Sequence, residues 1–362
     1  MHLSWLELLD FRSYERLEFR PEPGLNVLIG DNGSGKTNVL EAIGYLSRLG
    51  SFRGAPEAAL VRSGTPTAIL RGGLARESGE LRVEVELPYE GRRRILVNGK
   101  RPRRNADVAV EVPLVAFLPD DLDMVKRGPG LRRDYLDEVA AHISPAAGAD
   151  RTEYDKIVRQ RNRLLRDEGP RTDPMILTVW DERLADVGGR LARARLKTLE
   201  RLGSHLGAGY RAVAGNVPGA LSSRYEAWWL QPDDPKGSLL EALGDRRRRD
   251  LEQRTTTVGP HRDEIGLYLG DRAARTHASQ GEQRSVALAL RIAAFSLLEE
   301  RHGHPPILLL DDVFSELDAS RSAGVLELLP RGQVFVTSAR EDEVPVAGRR
   351  WRVEAGAICS PG

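Results

Sequence analysis

The sequence predicts an α/β fold in which a mixed sheet carries a phosphate-binding loop, with an antiparallel subdomain and a mostly helical second lobe. Two short apolar runs, Leu25–Ile29 and the continuous Ile307–Leu310, have the length of buried strands. The first run ends in a glycine-rich loop and the second ends in two carboxylates. Helical apolar spacing occupies residues 134–209. We therefore assign residues 1–118 and 300–362 to a first lobe and residues 119–299 to a second, mostly helical lobe.

The other elements are predicted from periodicity. Leu3–Phe11 is partly alternating, and Leu81–Leu87 alternates over seven residues, which is typical of half-exposed strands. Ile95–Val97 runs into Asn98-Gly99, a pair that favours a tight hairpin turn. Apolar residues on every face of Val286–Leu298 predict a buried helix. A further core strand is expected at 334–337.

Composition excludes several classes of protein. The chain has 362 residues, with 54 basic and 53 acidic side chains and a net charge of +1, so bulk charge nominates no partner. With 40% apolar residues it has a true core and is not disordered, collagen-like or a coiled-coil array. The single cysteine, Cys359, excludes an intrachain disulfide framework. No leader or membrane-spanning run is evident, so we expect no membrane association and a cytoplasmic location.

A phosphate site is predicted at the loop after the first buried strand, which fits G-x-x-x-x-G-K-[ST] between a strand and a helix. Glycines let backbone N–H groups converge on phosphate oxygens, and the helix N-terminus adds its positive dipole. Lys36 would reach the β- and γ-phosphates, and Thr37 would ligate Mg²⁺. The alternative is a glycine-rich turn that caps a helix. The candidate residues are Gly30, Asp31, Asn32, Gly33, Ser34, Gly35, Lys36 and Thr37.

Two carboxylates end the second buried strand. Asp311 is the candidate second ligand of Mg²⁺. Asp312, which points the other way along the strand, is the candidate general base that positions the attacking water. The alternative is a strand-end carboxylate that caps a loop.

Further motifs resemble the ABC-type ATPases. Ser279–Arg284, at the start of the apolar helix, resembles their signature motif, with Ala278 and Gln280 as departures, and Ser315–Asp318 resembles their D-loop. In that superfamily two subunits sandwich two ATP molecules. The resemblance implies that Ser279 and Gly281 contact the γ-phosphate held by the opposite subunit, in an ATP-dependent homodimer.

One branch of the superfamily is matched along nearly the whole chain, so the chain is identified as a member of the RecF family of bacterial repair proteins, related to the heads of SMC and Rad50. The resemblance implies a P-loop ABC-type ATPase head without a long coiled coil, and ATP and Mg²⁺ as cofactors. It also implies double-stranded and gapped DNA as ligands, and RecR and RecO as partners in placing RecA. The matching segments are Leu9–Tyr14, Gly30–Thr37, Phe117–Leu122, Thr257–Asp263, Ser279–Arg284 and Leu309–Asp318.

Several positions depart from the pattern or stay open. Thr337-Ser338-Ala339 stands where many relatives place a switch histidine, and Asp312 replaces a glutamate, so slow hydrolysis is expected. No glutamine marks a Q-loop near Pro119. Arg12 matches a family position near the nucleotide, with an exposed turn arginine as the alternative. Gly259–Asp263 favours a structural turn with His261 satisfied internally.

A basic cluster on the predicted hairpin is the candidate DNA contact, because several cations on one ribbon would neutralise phosphates in a salt-dependent way. The alternative is a charged edge that blocks sheet aggregation. Arg246–Arg249 is expected to be a solvated helix face. Without interleaved aromatic residues, duplex backbone is favoured over stacked single strands. We call the first set the hairpin cluster: Arg92, Arg93, Arg94, Lys100, Arg101, Arg103 and Arg104.

The predicted function is therefore a weak, Mg²⁺-dependent ATPase that uses ATP as a switch to clamp duplex DNA beside single-strand gaps. Two alternatives share the phosphate site. One is the ATPase subunit of a transporter, and the other is a nucleotide-dependent protein scaffold that does not bind DNA.

Overall fold

A computed structural model describes residues 1–214, 220–317, 322, 325–326, 332–344, 347–354 and 356–359. The chain divides into two compact units. The first comprises Met1–Leu122, Ala208–Pro218 and Arg284–Gly362, and the second comprises Asp123–Gly207 and Gly219–Gln283. Residues 284–299, which the sequence-based division gave to the second lobe, thus belong to the first unit. They are apolar on most faces and largely buried there.

Strands occur in both units. Within the described residues they are β1 (His2–Phe11), β2 (Tyr14–Phe19), β3 (Leu25–Ile29), β4 (Thr67–Arg76), β5 (Gly79–Pro88), β6 (Arg94–Val97), β7 (Leu114–Phe117), β8 (Leu221–Glu226), β9 (Glu264–Leu269), β10 (Arg272–Ala273), β11 (Ile307–Leu310), β12 (Val334–Ser338), β13 (Arg349–Glu354) and β14 (Ala357–Cys359).

Helices fill most of the second unit. Across both units, the helices of the described residues are α1 (Lys36–Arg48), α2 (Ala106–Glu111), α3 (Leu122–Lys126), α4 (Pro129–Ile143), α5 (Pro145–Glu168), α6 (Pro174–Ala214), α7 (Pro235–Gln253), α8 (Ala274–His277), α9 (Gln280–His302) and α10 (Val313–Glu316). No helix among them is both long and apolar enough to cross a membrane.

The first unit contains two sheets. The antiparallel sheet has the order β2-β1-β4-β5-β6, and the other has the order β14-β13-β3-β12-β11-β7. In the latter, β13, β3, β12, β11 and β7 are parallel, and β14 alone is antiparallel. The predicted alternation of Leu81–Leu87 is confirmed, since its apolar side chains are buried in a core shared with α1. Strands β11 and β12 are buried throughout, as their continuous apolar runs predict.

The second unit has its own core, formed by α5, α6 and α7 around Tyr154, Leu184 and Leu239. Its antiparallel sheet has the order β10-β9-β8. Arg161 is fully buried and bonds two buried carboxylates, Asp181 and Asp250, at 2.8 and 2.7 Å. A buried cation with two counter-ions and a hydroxyl partner meets the condition for stable burial of charge.

Candidate nucleotide-binding site

The loop between β3 and α1 is shaped by its glycines. Gly35 adopts φ +109°, and a Cβ there would lie 2.8 Å from the hydroxyl oxygen of Tyr14. That buried hydroxyl donates to the Gly35 carbonyl at 3.1 Å. A Cβ on Gly30 would lie 2.3 Å from the carbonyl oxygen of Val353 in β13. Side chains are therefore excluded at both ends of the loop, which leaves the backbone free to approach a ligand closely.

Two polar groups of the loop are buried, on Lys36 and Ser34. The Lys36 ammonium, on a side chain that is 4% exposed, donates to the carbonyls of Gly30 at 2.6 Å and Asp31 at 3.0 Å. The Ser34 hydroxyl is buried and has no hydrogen-bond partner among the described residues. A buried cation held by carbonyls and an unpartnered donor are complementary to an anion bound in the loop.

Asp311, the first of the two carboxylates that end β11, reaches the loop of the same unit. The Thr37 hydroxyl donates to Asp311 Oδ1 at 3.0 Å, and the Thr337 hydroxyl donates to the same oxygen at 2.7 Å. Burial raises the pKa of Asp311 above its usual value, and these two hydroxyl bonds act in the opposite direction. The sequence-predicted pair Thr37 and Asp311 is thus brought together, although 274 residues separate the two in the chain.

Asp312 differs from its neighbour. Its φ is +49°, and it stands at the N-terminus of α10 without a side-chain capping bond. Its carboxylate therefore does not cap α10. The carboxylate is partly exposed and accepts no hydrogen bond within the described part of the chain, so it is available to water.

Arg12 lies between β1 and β2, two strands of the antiparallel sheet. Its guanidinium bonds both carboxylate oxygens of Glu41 in α1, at 2.8 and 3.0 Å, and the carbonyl of Ala59 at 2.9 Å. Its side chain is 20% exposed. The structure therefore presents Arg12 as a partner of Glu41 rather than as an exposed turn arginine.

Ser279, which opens the signature segment, lies in the second unit and caps α9. The backbone N–H of Ser279 donates to Glu282 Oε2 at 2.7 Å, and the Ser279 hydroxyl accepts from the N–H of Glu282 at 3.3 Å. This reciprocal pair is a capping box, and the Ser279 bonds lower the pKa of Glu282. Ser279 is exposed and Gly281 is half-buried, so the N-terminus of α9 is accessible.

The structure describes part of the segment that resembles a D-loop. Ser315 lies exposed on α10, whereas Asp318 of the D-loop resemblance lies outside the described residues. Near Pro119, where a Q-loop glutamine was sought, Asp121 instead makes a bidentate ion pair with Arg291 of α9, at 3.0 and 2.6 Å. Both partners lie in the first unit, and sequence reasoning missed the pair.

The hairpin cluster is split by the structure. Asn98 and Gly99 form the predicted tight turn, with φ of +50° and +74°. The returning arm pairs only at Lys100, so 101–104 form a loop and not the second strand of a ribbon. Arg93 turns inward, where it bonds Tyr45 at 3.0 Å, the Leu49 carbonyl at 2.6 Å and the Glu57 carboxylate.

Four members of the hairpin cluster are exposed and make no ion pair with the described residues. Arg94 and Arg104 lie near carboxylates, at 4.0 Å from Glu86 and 3.6 Å from Asp107. Four of the seven cations of the hairpin cluster are therefore without an ion pair among the described residues. The four free members are Arg92, Lys100, Arg101 and Arg103.

Arg248 and Arg249 of α7 are exposed, as expected, whereas Arg246 and Arg247 are half-buried. Arg248 pairs with Glu252 at 2.9 Å, and Arg247 reaches Asp181 at 2.8 Å. No aromatic residue interleaves with this cluster in the sequence, but the fold places Arg246 4.8 Å from the ring centre of Trp228, whose surface is 65% exposed.

Gly259–Asp263 is the structural turn that the sequence predicts. His261 Nδ1 bonds the Tyr154 hydroxyl at 2.7 Å, and Nε2 lies 3.1 Å from the carbonyl of Thr256. Burial lowers the pKa of His261 to about 4. Asp263 accepts from the Trp229 indole at 2.8 Å and the Tyr225 hydroxyl at 2.6 Å, while its burial raises its pKa. Both ring nitrogens of His261 therefore have hydrogen-bond partners within the chain.

Comparison with known proteins identifies the family. The RecF/RecN/SMC N-terminal domain family matches residues 2–357. The DNA replication and repair protein RecF of Renibacterium salmoninarum is 38% identical over 394 residues, which cover 98% of each chain. The chain belongs to the RecF family. Its relatives are DNA replication and repair proteins, and this family, rather than transporter subunits, is the one that the sequence resemblance indicated.

Solved structures agree with the RecF fold. The RecF–ATP structure of a recombination mediator protein in the RecFOR pathway has a TM-score of 0.91 at 29% identity, covering 100% of this chain and 98% of that one. The head of Smc bound to the C-winged helix domain of ScpA has a TM-score of 0.56 at 17% identity, covering 99% and 96%. The predicted α/β head fold is therefore confirmed.

Sequence reasoning missed three side chains around the RecF phosphate loop. The Tyr14 hydroxyl donates to the Gly35 carbonyl, the Glu41 carboxylate pairs with Arg12, and the Thr337 hydroxyl donates to Asp311. Tyr14 ends the family-matching segment Leu9–Tyr14, whereas Glu41 had no sequence signal. Thr337 had one, since a hydroxyl at the carboxyl end of a core strand lies at the edge where parallel sheets bind ligands.

Proposed function

We propose that this RecF-family protein binds ATP with Mg²⁺ at the loop Gly30–Thr37. The fit rests on the contacts of the first unit. Lys36 is held over the loop by two carbonyls and can exchange them for phosphate oxygens. The buried Ser34 hydroxyl can donate to the same anion. Thr37 and Asp311 lie together as a hydroxyl and a carboxylate, the oxygen ligands that Mg²⁺ prefers. The loop backbone of Asp31, Asn32 and Gly33 completes the cradle.

The proposed reaction is slow hydrolysis of ATP to ADP and phosphate. When bound, Mg²⁺ neutralises charge that develops on the phosphate oxygens. Lys36 stabilises the same charge, and Asp312, whose carboxylate is free of hydrogen bonds with the described residues, orients water as general base. Thr337-Ser338-Ala339 offers no imidazole at the switch position, which supports the expectation of a weak ATPase used as a switch.

We further propose that ATP controls a homodimer. The capped N-terminus of α9 is accessible at Ser279 and Gly281, and such a terminus can donate to the γ-phosphate held by a second copy of the chain. Two nucleotides shared across a two-fold interface then shift the monomer–dimer equilibrium. A contribution of Arg12 to the nucleotide would require its ion pair with Glu41 to open.

Duplex DNA beside a single-strand gap is the proposed ligand of the dimer. The exposed cations of the hairpin cluster supply phosphate contacts, and joining two copies doubles them. Relatives are assigned to the RecFOR pathway, and this supports RecR and RecO as partners, with RecA acting downstream. A cytoplasmic location belongs to the same proposal.

One observation carries the proposal: Thr37 and Asp311 share a hydrogen bond beside a loop with a buried lysine and an unpartnered serine. The test is fluorescence anisotropy of a labelled gapped duplex without nucleotide, with ADP and with ATP, at several salt concentrations. We expect tight binding only with ATP, weakening as salt rises. Lys36→Met should lose the ATP response, and its dimer should be absent by sedimentation.

Other outcomes would redirect the interpretation. Binding of the duplex that ignores nucleotide would separate the DNA surface from the ATP site. ATP-dependent dimers without any DNA affinity would favour a nucleotide-dependent protein scaffold. An Lys36→Met variant that dimerises with ATP as the parent does would contradict the assignment of the phosphate loop.

A further inference from the structure

Thr337 occupies the central strand of the candidate site. Strand β12 lies between β3, which leads into the phosphate loop, and β11, which leads into the carboxylates. Thr337 pairs with Leu28 of β3, while Val336 pairs with Leu310 of β11. The Thr337 side chain therefore stands one residue past that last pair, beside the point where Asp311 leaves the sheet. It is 1% exposed.

The hydroxyl of Thr337 makes two bonds whose directions are determined. It accepts the backbone N–H of Asp312 at 2.8 Å and lies 2.7 Å from Asp311 Oδ1. A hydroxyl carries a single proton, and an N–H can only donate. The proton of Thr337 therefore points to Asp311 Oδ1, and one side chain engages both acidic residues.

These bonds orient the Asp311 carboxylate. Oδ1 receives the hydroxyls of Thr337 and Thr37, at 2.7 and 3.0 Å. Oδ2 accepts no hydrogen bond from the residues that the structure describes, and it is the oxygen left for a cation. Since Thr37 is itself a candidate metal ligand, Thr337 is the donor that acts on Asp311 without being one.

The second bond acts on the backbone of Asp312. This residue has φ +49° and ψ +25°, in the left-handed region that non-glycine residues rarely adopt. Its N–H lies beside the sheet in a partly buried position, and Thr337 is its acceptor. The bond holds the peptide between the two carboxylates and thereby fixes where the Asp312 side chain starts.

We propose that Thr337 is a positioning residue for the metal-bound nucleotide, which holds Asp311 Oδ2 toward the metal and fixes the backbone of Asp312. The inference rests on the proposed ATP function and deepens it. Groups that orient a metal ligand typically change metal affinity by about 10- to 100-fold when they are removed. Thr337 lies at the carboxyl end of β12, where many ABC-type ATPases place a switch histidine.

The test compares Thr337→Val, which keeps the branched shape and removes the hydroxyl, with Thr337→Ser, which keeps the hydroxyl. The first readout is Mn²⁺ affinity at saturating ADP, followed by electron paramagnetic resonance. Thr337→Val should bind Mn²⁺ about tenfold more weakly, and Thr337→Ser should stay within about threefold of the parent. The second readout is the affinity for a fluorescent ADP analogue in EDTA, which should be unchanged in both.

The control is Ser47→Ala, which removes a buried hydroxyl of α1 that bonds the Val112 carbonyl at 2.5 Å, away from the acids. Thermal denaturation of every variant separates unfolding from altered binding. If Thr337→Val does not fold, Thr337→Cys, which has a similar size and is a weak donor, takes its place in the same titration.

The outcomes distinguish the two proposals. If the parent protein binds no nucleotide, the proposed function fails. If the parent binds ADP and Mn²⁺ and a folded Thr337→Val binds Mn²⁺ equally well, the role of Thr337 is overturned while the nucleotide site stands. A Thr337→Ser variant as weak as Thr337→Val would also overturn it, because the hydroxyl would then not be the acting group.

Discussion

The guanidinium of Arg12 and the fully buried carboxylate of Glu41 form a bidentate ion pair, with N···O distances of 2.8 and 3.0 Å. Removing Arg12 would leave that carboxylate buried without its counter-ion. We expect Arg12→Ala to lower the free energy of unfolding by about 3 kcal/mol, measured by chemical denaturation. The exposed pair of Arg16 and Glu18 offers a control, and Arg16→Ala should change stability little. A stable Arg12→Ala protein with weakened ATP affinity would instead assign Arg12 to the nucleotide.

Asp312 should separate ATP binding from hydrolysis. Its carboxylate is available to water, while Thr37 and Asp311 remain to hold the metal. We expect Asp312→Asn to bind ATP and to dimerise, with turnover reduced at least about a hundredfold, because a general base typically contributes that much. Phosphate release and sedimentation measure the two properties. Turnover at the parent rate would require another residue to position the water.

Ser279 should matter for the dimer and not for the monomer. An arginine at this exposed helix N-terminus adds bulk and positive charge where a second copy would present its nucleotide. We expect Ser279→Arg to bind ATP normally and to remain monomeric in sedimentation. Ser204→Arg adds the same charge at an exposed serine of α6 in the same unit, and should leave the dimer intact. Persistence of the ATP dimer in Ser279→Arg would contradict the signature role.

The free cations of the hairpin cluster should set the salt dependence of DNA binding. Reversing Arg101 and Arg103 to glutamate should weaken binding of the gapped duplex and reduce the slope of log K against log salt by roughly two. The double reversal of Arg16 and Arg20, both exposed on the same unit, makes the same charge change elsewhere. Equal effects of both double variants would indicate a general charge effect and favour the edge-blocking alternative. Arg93→Glu should destabilise the fold, because Arg93 bonds Tyr45, Leu49 and Glu57.

The buried His261 should make stability depend on pH. Burial lowers its pKa from 6.5 to about 4, so between these values the unfolded chain takes up a proton that the folded protein does not. The contribution of His261 to the free energy of unfolding is complete above pH 6.5. It falls by up to about 3 kcal/mol as the pH falls toward 4. The raised pKa of Asp263 acts in the opposite direction in acid. His261→Gln retains Asp263, so the difference in slope between variant and parent, from denaturation at several pH values, reports His261 alone. Parallel curves would mean that the pKa of His261 is the same in the folded and unfolded states.

The sequence predicts the glycine-rich loop and its contact with Asp311 well, because both depend on short patterns of fixed local geometry. Leu25–Ile29 and Ile307–Leu310 are apolar enough to be central strands, and parallel strands bring the residues after their carboxyl ends to one edge of the sheet. Thr337 could not be assigned in this way, since a hydroxyl in a strand does not reveal which neighbour it bonds. The three consecutive arginines at 92–94 look equivalent in sequence, yet Arg93, just before β6, turns toward Glu57. Trp228 and Arg246 meet only because the fold brings a loop against α7.

Strand β3 has β12 on one side and β13 on the other, and both neighbours come from residues 334–354. During synthesis on the ribosome the phosphate loop emerges early, but its strand has no partner until some three hundred further residues have been translated. An apolar strand open along both edges is a template for pairing with other chains. Nascent chains and fragments that stop short of β12 should therefore depend on chaperones, and the nucleotide site should be among the last parts of the molecule to form.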